Sequence, residues 1–533
     1  MNCQRPGRIL FLATIMCWLA SQLPAADPQP ASGPSSVHSV QDVANRIDAI
    51  IADVWKSENV QPTERATDAE FLRRAHLDIA GSIPSASQVR SFLKDNAPDK
   101  RRRAIDGLLN SPTYNTHFTT VWRNALIPEA NNDVLTRQLI PGFEAWLWQQ
   151  MFDNRPYDDF VREIITTPIN PLLARSPTDN TKPTPFAFYQ AKQIAPENLA
   201  AATSRVFMGV RLECAQCHDH PFDKWTQEQF WSYAAFFAGL QTVSRENPNP
   251  REDPQVRKIK IPETETVVFA SFLNDEEPEF GEQSTRKTLS DWLTSGNNEF
   301  FARMAANRVW GHFFGRGIVE PVDDFTADNP PSHPELLDEL ASELVAHEFD
   351  LKFLIRAITA SKTYQLSSRQ THASQEEPQF FARMALKGLT PEQLFDSLAE
   401  ATGFYQPFRS ENPFVLQQDT PRSEYLRLFR DESNSSTERE TTILQALAMM
   451  NGEFIDEATN LEDSLTLIAI TEFPLMSNRE RLESLFLSAL SRKPTAAESK
   501  RLLSFLQKAE TKQQAYGDIF WAMLNSSEFL FNH

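Results

Sequence analysis

The chain has 533 residues, of which 41% are hydrophobic and 23% charged, and its formal net charge is −19. This composition is typical of a soluble globular protein, and the length suggests about two to four domains. The acidic excess argues against a nucleic-acid partner, because phosphates require clustered Lys and Arg. Basic proteins and small molecules remain as possible partners.

The first residues have the pattern of a secretory leader. Arg5 and Arg8 precede the apolar run "ILFLATIMCWLA", and the small residues of "LPAADPQP" follow it. We therefore predict a signal peptide at residues 1–26 and export to the periplasm or the extracellular space. The run is shorter than the ~20 residues that span a bilayer, and we predict no transmembrane segment in the mature chain. Cleavage removes Cys3 and Cys17, and leaves only Cys214 and Cys217.

Helical periodicity dominates the mature chain. After a Pro/Ser-rich spacer at residues 27–38, "VQDVANRIDAIIADVWKS" places apolar residues on one helical face. Most of the chain alternates such runs with Pro-containing loops, whereas "VRKIKIP" and "ETVVFASF" alternate with the period of strands. We predict a mainly α fold with two helical lobes built from packed helix pairs and a small β-containing connection between them. The predicted boundaries are 39–243 for the first domain, 244–285 for the linker and 286–533 for the second domain.

A weak internal repeat accompanies this pattern. Three segments begin with Pro and a predicted capping box: Ser85 with Gln88, Ser332 with Glu335, and Thr495 with Glu498. Each closes with a similar tail, "LLNSPTY" at Tyr114, "ITASKTY" at Tyr364 and "MLNSSEF" at Phe529. The predicted unit is a pair of packed helices.

The stretch "VRLECAQCHDHPFDKW" contains the pattern C-x-x-C-H at Cys214, Cys217 and His218. Two thiols one turn apart can form thioethers with the two vinyl groups of a haem, and the adjacent imidazole can ligate the iron as proximal ligand. The following helix carries Phe230, Trp231, Tyr233, Phe236 and Phe237, which either form core or wall a porphyrin.

Other chemistries fit the same residues. Cys214, Cys217, His218 and His220 are four donors for zinc, although structural zinc sites usually draw ligand pairs from separated segments. A Cys214–Cys217 disulfide and a redox-active dithiol are further alternatives.

The distal haem ligand is less well indicated. His220 follows His218 too closely to reach the opposite face of the ring, and its predicted role is to hydrogen bond near the site. Candidates elsewhere include His312, His333 and several methionines. Without a strong sixth ligand the iron is open to small molecules. The presence or absence of this ligand therefore distinguishes an electron carrier from an enzyme.

A second dense stretch contains Glu320, Asp323, Asp324 and Asp328 in a loop. Such acids serve acid/base chemistry in hydrolases, bind calcium, or form turns and helix caps. The sequence contains no nucleophile elbow, P-loop or dinucleotide fingerprint.

At these residues the sequence resembles a known pair of domains. "RVFMGVRLECAQCHDHPFDKWTQEQFWSYAAFFAG" resembles the planctomycete-type cytochrome-like domain PSCyt, and "NRVWGHFFGRGIVEPVDDFTADNPPSHPELLDELA" resembles its usual partner domain, PSD. "FLRRAHLDIAGSIPSASQVRSFL" also fits the first domain, except that His76 stands where an aromatic residue is usual. The resemblance implies an exported, mainly helical, two-domain protein associated by name with c-type cytochromes. It carries over Cys214, Cys217 and His218, with His220 and Pro221 beside them and His333 in the second motif, and identifies no catalytic residue.

The sequence thus predicts an exported c-type-haem-like protein with haem c on Cys214 and Cys217, His218 as proximal ligand and His333 as a distal candidate. Its expected role is electron transfer with a redox partner protein, or redox chemistry on an unidentified substrate. Two alternatives remain open. One is a structural or carbohydrate-interacting protein without haem, with a Cys214–Cys217 disulfide or a zinc site. The other is a hydrolase that uses the Asp323/Asp324 loop.

Overall fold

The computed structural model describes residues 38–131, 134–169, 183–241, 251–274, 276–404, 420–428, 449, 452–460 and 464–533. The predicted signal peptide and residues 27–37 of the predicted spacer lie outside these ranges. Within them, no helix combines the length and the apolar character needed to cross a membrane.

Helices form most of the described chain, which confirms the mainly α fold. Those before residue 242 are α1 (Val40–Ser57), α2 (Asp68–Ala80), α3 (Ala86–Lys94), α4 (Lys100–Leu109), α5 (Pro112–Leu126), α6 (Val134–Phe152), α7 (Tyr157–Thr166), α8 (Ala187–Ala191), α9 (Pro196–Met208) and α10 (Gln227–Ala234). Those after it are α11 (Thr285–Leu293), α12 (Phe301–Phe314), α13 (Pro334–Ala346), α14 (Leu351–Ala360), α15 (Pro391–Thr402), α16 (Pro421–Leu428), α17 (Glu453–Thr459), α18 (Leu465–Glu472), α19 (Asn478–Leu490), α20 (Ala496–Lys508), α21 (Lys512–Leu524) and α22 (Ser527–Leu530). In α1, the apolar face predicted from the sequence is buried at Val43, Ile47 and Ile51.

Strands are short and pair only in twos within the described residues. β1 (Leu240–Gln241) pairs with β2 (Arg251–Glu252), and β3 (Lys258–Lys260) pairs with β4 (Val267–Phe269), both antiparallel. The β3–β4 ladder falls in the two segments for which the sequence predicted strands, whereas β1 lies before the predicted connection at 244–285. A third ladder, between β5 (Lys387–Gly388) and β6 (Phe531–Asn532), was not predicted.

The main hydrophobic cores do not divide at the predicted linker. The largest core contains buried residues from Val43 to Met384, on both sides of residues 244–285. A second core is formed by residues from Leu389 to Phe529, together with Leu77 of α2 and Ile83 just after it. The predicted domain boundaries stay a prediction, but the packing joins the two halves of the chain.

Helix α2 is central to that packing. Its residues from Phe71 to Ala80 are all buried, including two arginines. Arg73 donates hydrogen bonds to the carbonyl oxygen atoms of Ala489 and Phe529 at 3.0 and 2.9 Å. Arg74 donates to the carbonyl oxygen atom of Tyr364 at 2.7 Å. Both buried arginines of α2 therefore donate to backbone from the second half of the chain.

Three segments repeat one arrangement of helices. In each, a first helix ends at a residue in the left-handed conformation, Gly81 (φ 77°), Gly315 (φ 80°) or Ser491 (φ 56°). Two further helices follow, and then a serine three residues before a buried aromatic residue. The units are α2 to α4 with Ser111 and Tyr114, α12 to α14 with Ser361 and Tyr364, and α19 to α21 with Ser526 and Phe529. The predicted helix pair is thus part of a three-helix unit.

The serine has the same hydrogen bonds in all three units. Its hydroxyl donates to the carbonyl oxygen atom three residues earlier, at 2.6 Å for Ser111, 2.7 Å for Ser361 and 2.6 Å for Ser526. It also accepts from the backbone N–H of the aromatic residue, at 3.3, 3.1 and 3.3 Å respectively. This shared geometry supports the predicted repeat.

The predicted capping boxes form in two of the three units. Ser85 with Gln88 and Thr495 with Glu498 make both reciprocal hydrogen bonds. The prediction for Ser332 with Glu335 is wrong, because α13 begins at Pro334 and its N-cap is His333, which makes no side-chain cap. Both the N–H and the hydroxyl of Ser332 donate instead to the carbonyl oxygen atom of Ile318.

Candidate functional site

The C-x-x-C-H segment follows a sharp turn at the end of α9. Gly209 is left-handed there (φ 71°), and a Cβ atom added to it would lie 2.3 Å from the ring of Phe325. Only glycine avoids both the strained backbone and this clash. A short 3-10 helix, Glu213–Gln216, then presents the first thiol, and Cys217 ends it.

Both thiols of the segment are exposed and free. Cys214 and Cys217 are therefore not joined by a disulfide in this structure. Within the described ranges, no three or more His, Cys, Asp and Glu side chains are arranged to hold a metal ion. The four zinc donors proposed from the sequence are thus not gathered into a coordination site.

His218 is exposed next to the second thiol, and its Nδ1 lies 2.7 Å from the backbone oxygen atom of Asp219. A carbonyl oxygen atom only accepts, so this contact requires a proton on Nδ1. The neutral ring then carries its lone pair on Nε2. A hydrogen bond from one ring nitrogen is the usual way in which a protein orients a histidine whose other nitrogen binds a metal.

Helix α10 holds the segment mainly through the segment's backbone. Gln227 Nε2 donates to the carbonyl oxygen atom of Cys217 at 2.9 Å, and Trp231 Nε1 donates to that of Gln216 at 3.0 Å. The backbone N–H of Gln227 donates to Asp219 Oδ1 at 2.9 Å. These bonds fix the main chain and leave the thiols in solvent. A capping box of Thr226 with Gln229 begins α10. Nothing in the sequence indicated that Gln227 and Trp231 hold this backbone.

His220 closes the loop that follows. Its backbone N–H donates to the carbonyl oxygen atom of Trp225 at 2.7 Å, and its Nδ1 accepts from the N–H of Phe222 at 3.3 Å. The side chain of Phe222 is 80% exposed. The loop therefore presents an aromatic ring to solvent close in sequence to the thiols.

The aromatic residues of α10 and the turn after it belong to the core. Phe230, Trp231, Tyr233, Phe236 and Phe237 are all buried in the largest hydrophobic cluster. Phe236, for example, stacks on Phe272 with ring centroids 5.2 Å apart. Of the two expectations for these rings, the structure therefore supports the core and not a porphyrin wall.

The acidic loop of the second motif docks beside the segment. Asp323 accepts from Arg205 Nε at 2.7 Å and from Arg211 at 2.6 Å, and the N–H of Phe325 donates to Gly209 at 2.8 Å. Burial alone would raise the pKa of Asp323, but the hydrogen bonds and charges of the two arginines lower it. This arrangement favours a structural role for Asp323, because a carboxylate held ionised by two cations is a poor proton donor.

His333, the distal candidate, is buried, and its described contacts are with residues outside the C-x-x-C-H segment. Its Nδ1 lies 3.2 Å from Ser332 Oγ, and its ring packs on Phe381 with centroids 5.4 Å apart. Its Nε2 has no hydrogen-bond partner among the described residues, and burial lowers the pKa of His333 to about 4. His312, another candidate, bonds through Nε2 to the backbone oxygen atom of Asp78 at 2.7 Å.

Comparison with known proteins identifies both halves of the chain. The family model PSCyt2, described as a protein of unknown function (DUF1549), matches residues 46–242. The family model PSD1, described as a protein of unknown function (DUF1553), matches residues 285–427 and 414–506. No curated protein and no solved structure matches the chain. The resemblance seen in the sequence is confirmed: the chain belongs to the proteins in which a PSCyt2 domain is followed by a PSD1 domain.

Proposed function

We propose that this chain is an exported protein that carries a c-type haem. Cys214 and Cys217 would bind the porphyrin through thioethers, and His218 would be the proximal ligand. Its function is electron transfer with a redox partner protein, or redox chemistry on an unidentified substrate.

One observation carries this proposal: two free, exposed thiols are followed by an imidazole whose Nδ1 donates a hydrogen bond to a backbone carbonyl group. The donors therefore fit the covalent attachment of a haem. When bound, a haem supplies reversible one-electron chemistry at its iron.

The protein contributes the position and the tautomer of these groups. Gln227 and Trp231 hold the backbone at Cys217 and Gln216, so the thiols keep a fixed spacing. The Asp219 carbonyl group fixes the tautomer and the orientation of His218. Because the segment lies at the surface, a protein partner can approach it directly.

The sixth ligand is the weakest part of the sequence-based hypothesis. None of the described contacts of His333 is with residues 214–218, so no contact in the structure links it to the segment. Replacing His333 or His312 in a haem-loaded protein tests each position. An unchanged low-spin spectrum would exclude the residue that was replaced.

The proposal is tested by producing the full chain together with a cytochrome c maturation system. We expect a Soret band and haem that stays on the polypeptide after denaturation. The variant with Cys214→Ser and Cys217→Ser should lose both signals. His218→Ala should keep covalent haem but change the spin state of the iron. Wild-type protein that folds and acquires no covalent haem under these conditions would refute the proposal.

A second candidate function rests on the same exposed thiols. Without haem, Cys214 and Cys217 remain accessible for a disulfide or for zinc, as in the structural or carbohydrate-interacting alternative. Thiol labelling before and after reduction, and zinc analysis of the purified chain, separate these two states.

A further inference from the structure

The third ladder brings a lysine and an asparagine into direct opposition. Lys387 of β5 and Asn532 of β6 are antiparallel partners. Side chains of directly opposed residues project from the same face, with Cβ atoms about 5 Å apart. These two residues are far apart in sequence, and both side chains are buried, with 5% and 3% of their surface exposed.

A carboxylate from α2 lies against both side chains. Asp78 Oδ1 accepts from Lys387 Nζ at 2.5 Å and from Asn532 Nδ2 at 2.7 Å. The other oxygen atom, Oδ2, accepts from the hydroxyl of Tyr364 at 2.9 Å. Asp78 itself is only 2% exposed. One buried carboxylate oxygen atom thus bonds both an amine and an amide.

The burial of the amine, unlike its hydrogen bonds, shifts it towards the neutral form. Burial lowers the pKa of Lys387, and the opposing attraction of Asp78 does not restore it. Its remaining contacts are the backbone oxygen atoms of His312 and Phe313, at 3.2 and 2.8 Å. In such a low-dielectric site, passing a proton from Nζ to Asp78 replaces two buried charges with a neutral pair.

The amide of Asn532 has an unused acceptor. Its Oδ1 is buried without a hydrogen-bond partner among the described residues. A half-turn of the amide about Cβ–Cγ would exchange Oδ1 and Nδ2. Oδ1 would then accept the proton that Asp78 has received from the lysine, and Cγ would become more electrophilic.

From this geometry we propose that Lys387 and Asn532 join in an intramolecular isopeptide bond, with Asp78 as general acid and base. Asp78 takes a proton from Nζ, and the neutral amine attacks Cγ of Asn532. The new Nζ–Cγ amide bond forms, the Cγ–Nδ2 bond breaks, and the nitrogen leaves as ammonium. The step consumes no oxidant, reductant or other reactant.

The bond is tested by peptide mapping of the full-length folded chain by mass spectrometry. We expect one linked species that contains Lys387 and the C-terminal peptide, lighter by one ammonia molecule than the two peptides together. Wild-type protein in which both peptides are recovered unlinked would overturn the proposal. A link from Lys387 to Asp78 with loss of water would also overturn the assignment of Asn532.

Variants separate the roles of the three side chains. Lys387→Arg keeps a buried cation but removes the nucleophile, so the linked species should disappear. Asp78→Asn should prevent the link while leaving both partners in place. Lys192→Arg is the matched control, because Lys192 is also buried and paired, with Glu129. A linked species that persists in Lys387→Arg would refute the assignment. If these variants fail to fold, the wild-type map still decides.

Discussion

Several histidines of this chain lie in its interior, where their charged form is unfavourable. Burial lowers the pKa of His76 to about 4 and that of His117 to about 3, with smaller contributions from His312 and Lys387 at His117. A histidine with an unfolded-state pKa near 6.5 is protonated in the unfolded chain well before it is protonated in the folded one. The folded state therefore loses stability as the pH falls through this interval.

His76 gives a direct test, because no described side chain hydrogen bonds to its ring and its shift has burial as its single cause. The variant His76→Phe removes the group that must stay neutral and keeps an aromatic ring in its place. The free energy of unfolding of wild type should fall relative to His76→Phe by about 3 kcal/mol between pH 6.5 and pH 4. Urea unfolding at several pH values measures this, and a difference that is constant with pH would contradict it.

At the scale of the elements, the serine of each three-helix unit makes the same local hydrogen bonds. It satisfies a carbonyl group at the end of one helix and an N–H group of the aromatic residue that follows. These signals lie within a few residues of one another, so the sequence could predict the tails and two of the capping boxes. It failed at Ser332 because Pro334 moves the start of α13 to the next residue.

Removing this hydroxyl should cost stability in every unit. We expect Ser361→Ala and Ser526→Ala each to lower the free energy of unfolding by about 1 kcal/mol, the typical cost of removing a hydroxyl that accepts from the backbone N–H three residues later. Ser57→Ala is the control, because Ser57 is exposed and its hydroxyl only donates to the carbonyl oxygen atom of Val54. Chemical denaturation compares the three. An equal loss of stability in Ser57→Ala would show that the hydrogen bond from the aromatic residue's N–H contributes nothing to stability.

At the scale of the whole molecule, the first and third units exchange core residues. Leu77, four residues before Gly81, packs into the second core, and Leu487, four residues before Ser491, packs with Leu72 and Val89 of the first unit. The helical class could be predicted because periodicity is local. This exchange, the β5–β6 pairing and the partners of Arg73 could not, since they join residues that are more than a hundred positions apart.

Arg73 of α2 provides a test of whether the two cores unfold together. Arg73→Met should lower the free energy of unfolding by about 3 kcal/mol, because it leaves the buried carbonyl groups of Ala489 and Phe529 without donors. In calorimetry, both wild type and Arg73→Met should still unfold in one transition. Arg102→Met, at an exposed arginine, should change stability by less than about 0.5 kcal/mol. Two separated transitions in wild type would contradict the shared role of α2.

The hydrogen bonds from α10 to the C-x-x-C-H segment have a consequence for the order of folding and haem attachment. The side chains of Gln227 and Trp231 bond to main-chain oxygen atoms, so completing the fold leaves both sulfur atoms facing outward. A haem-attaching enzyme could thus act on a finished polypeptide, and the cofactor would be the last component to arrive.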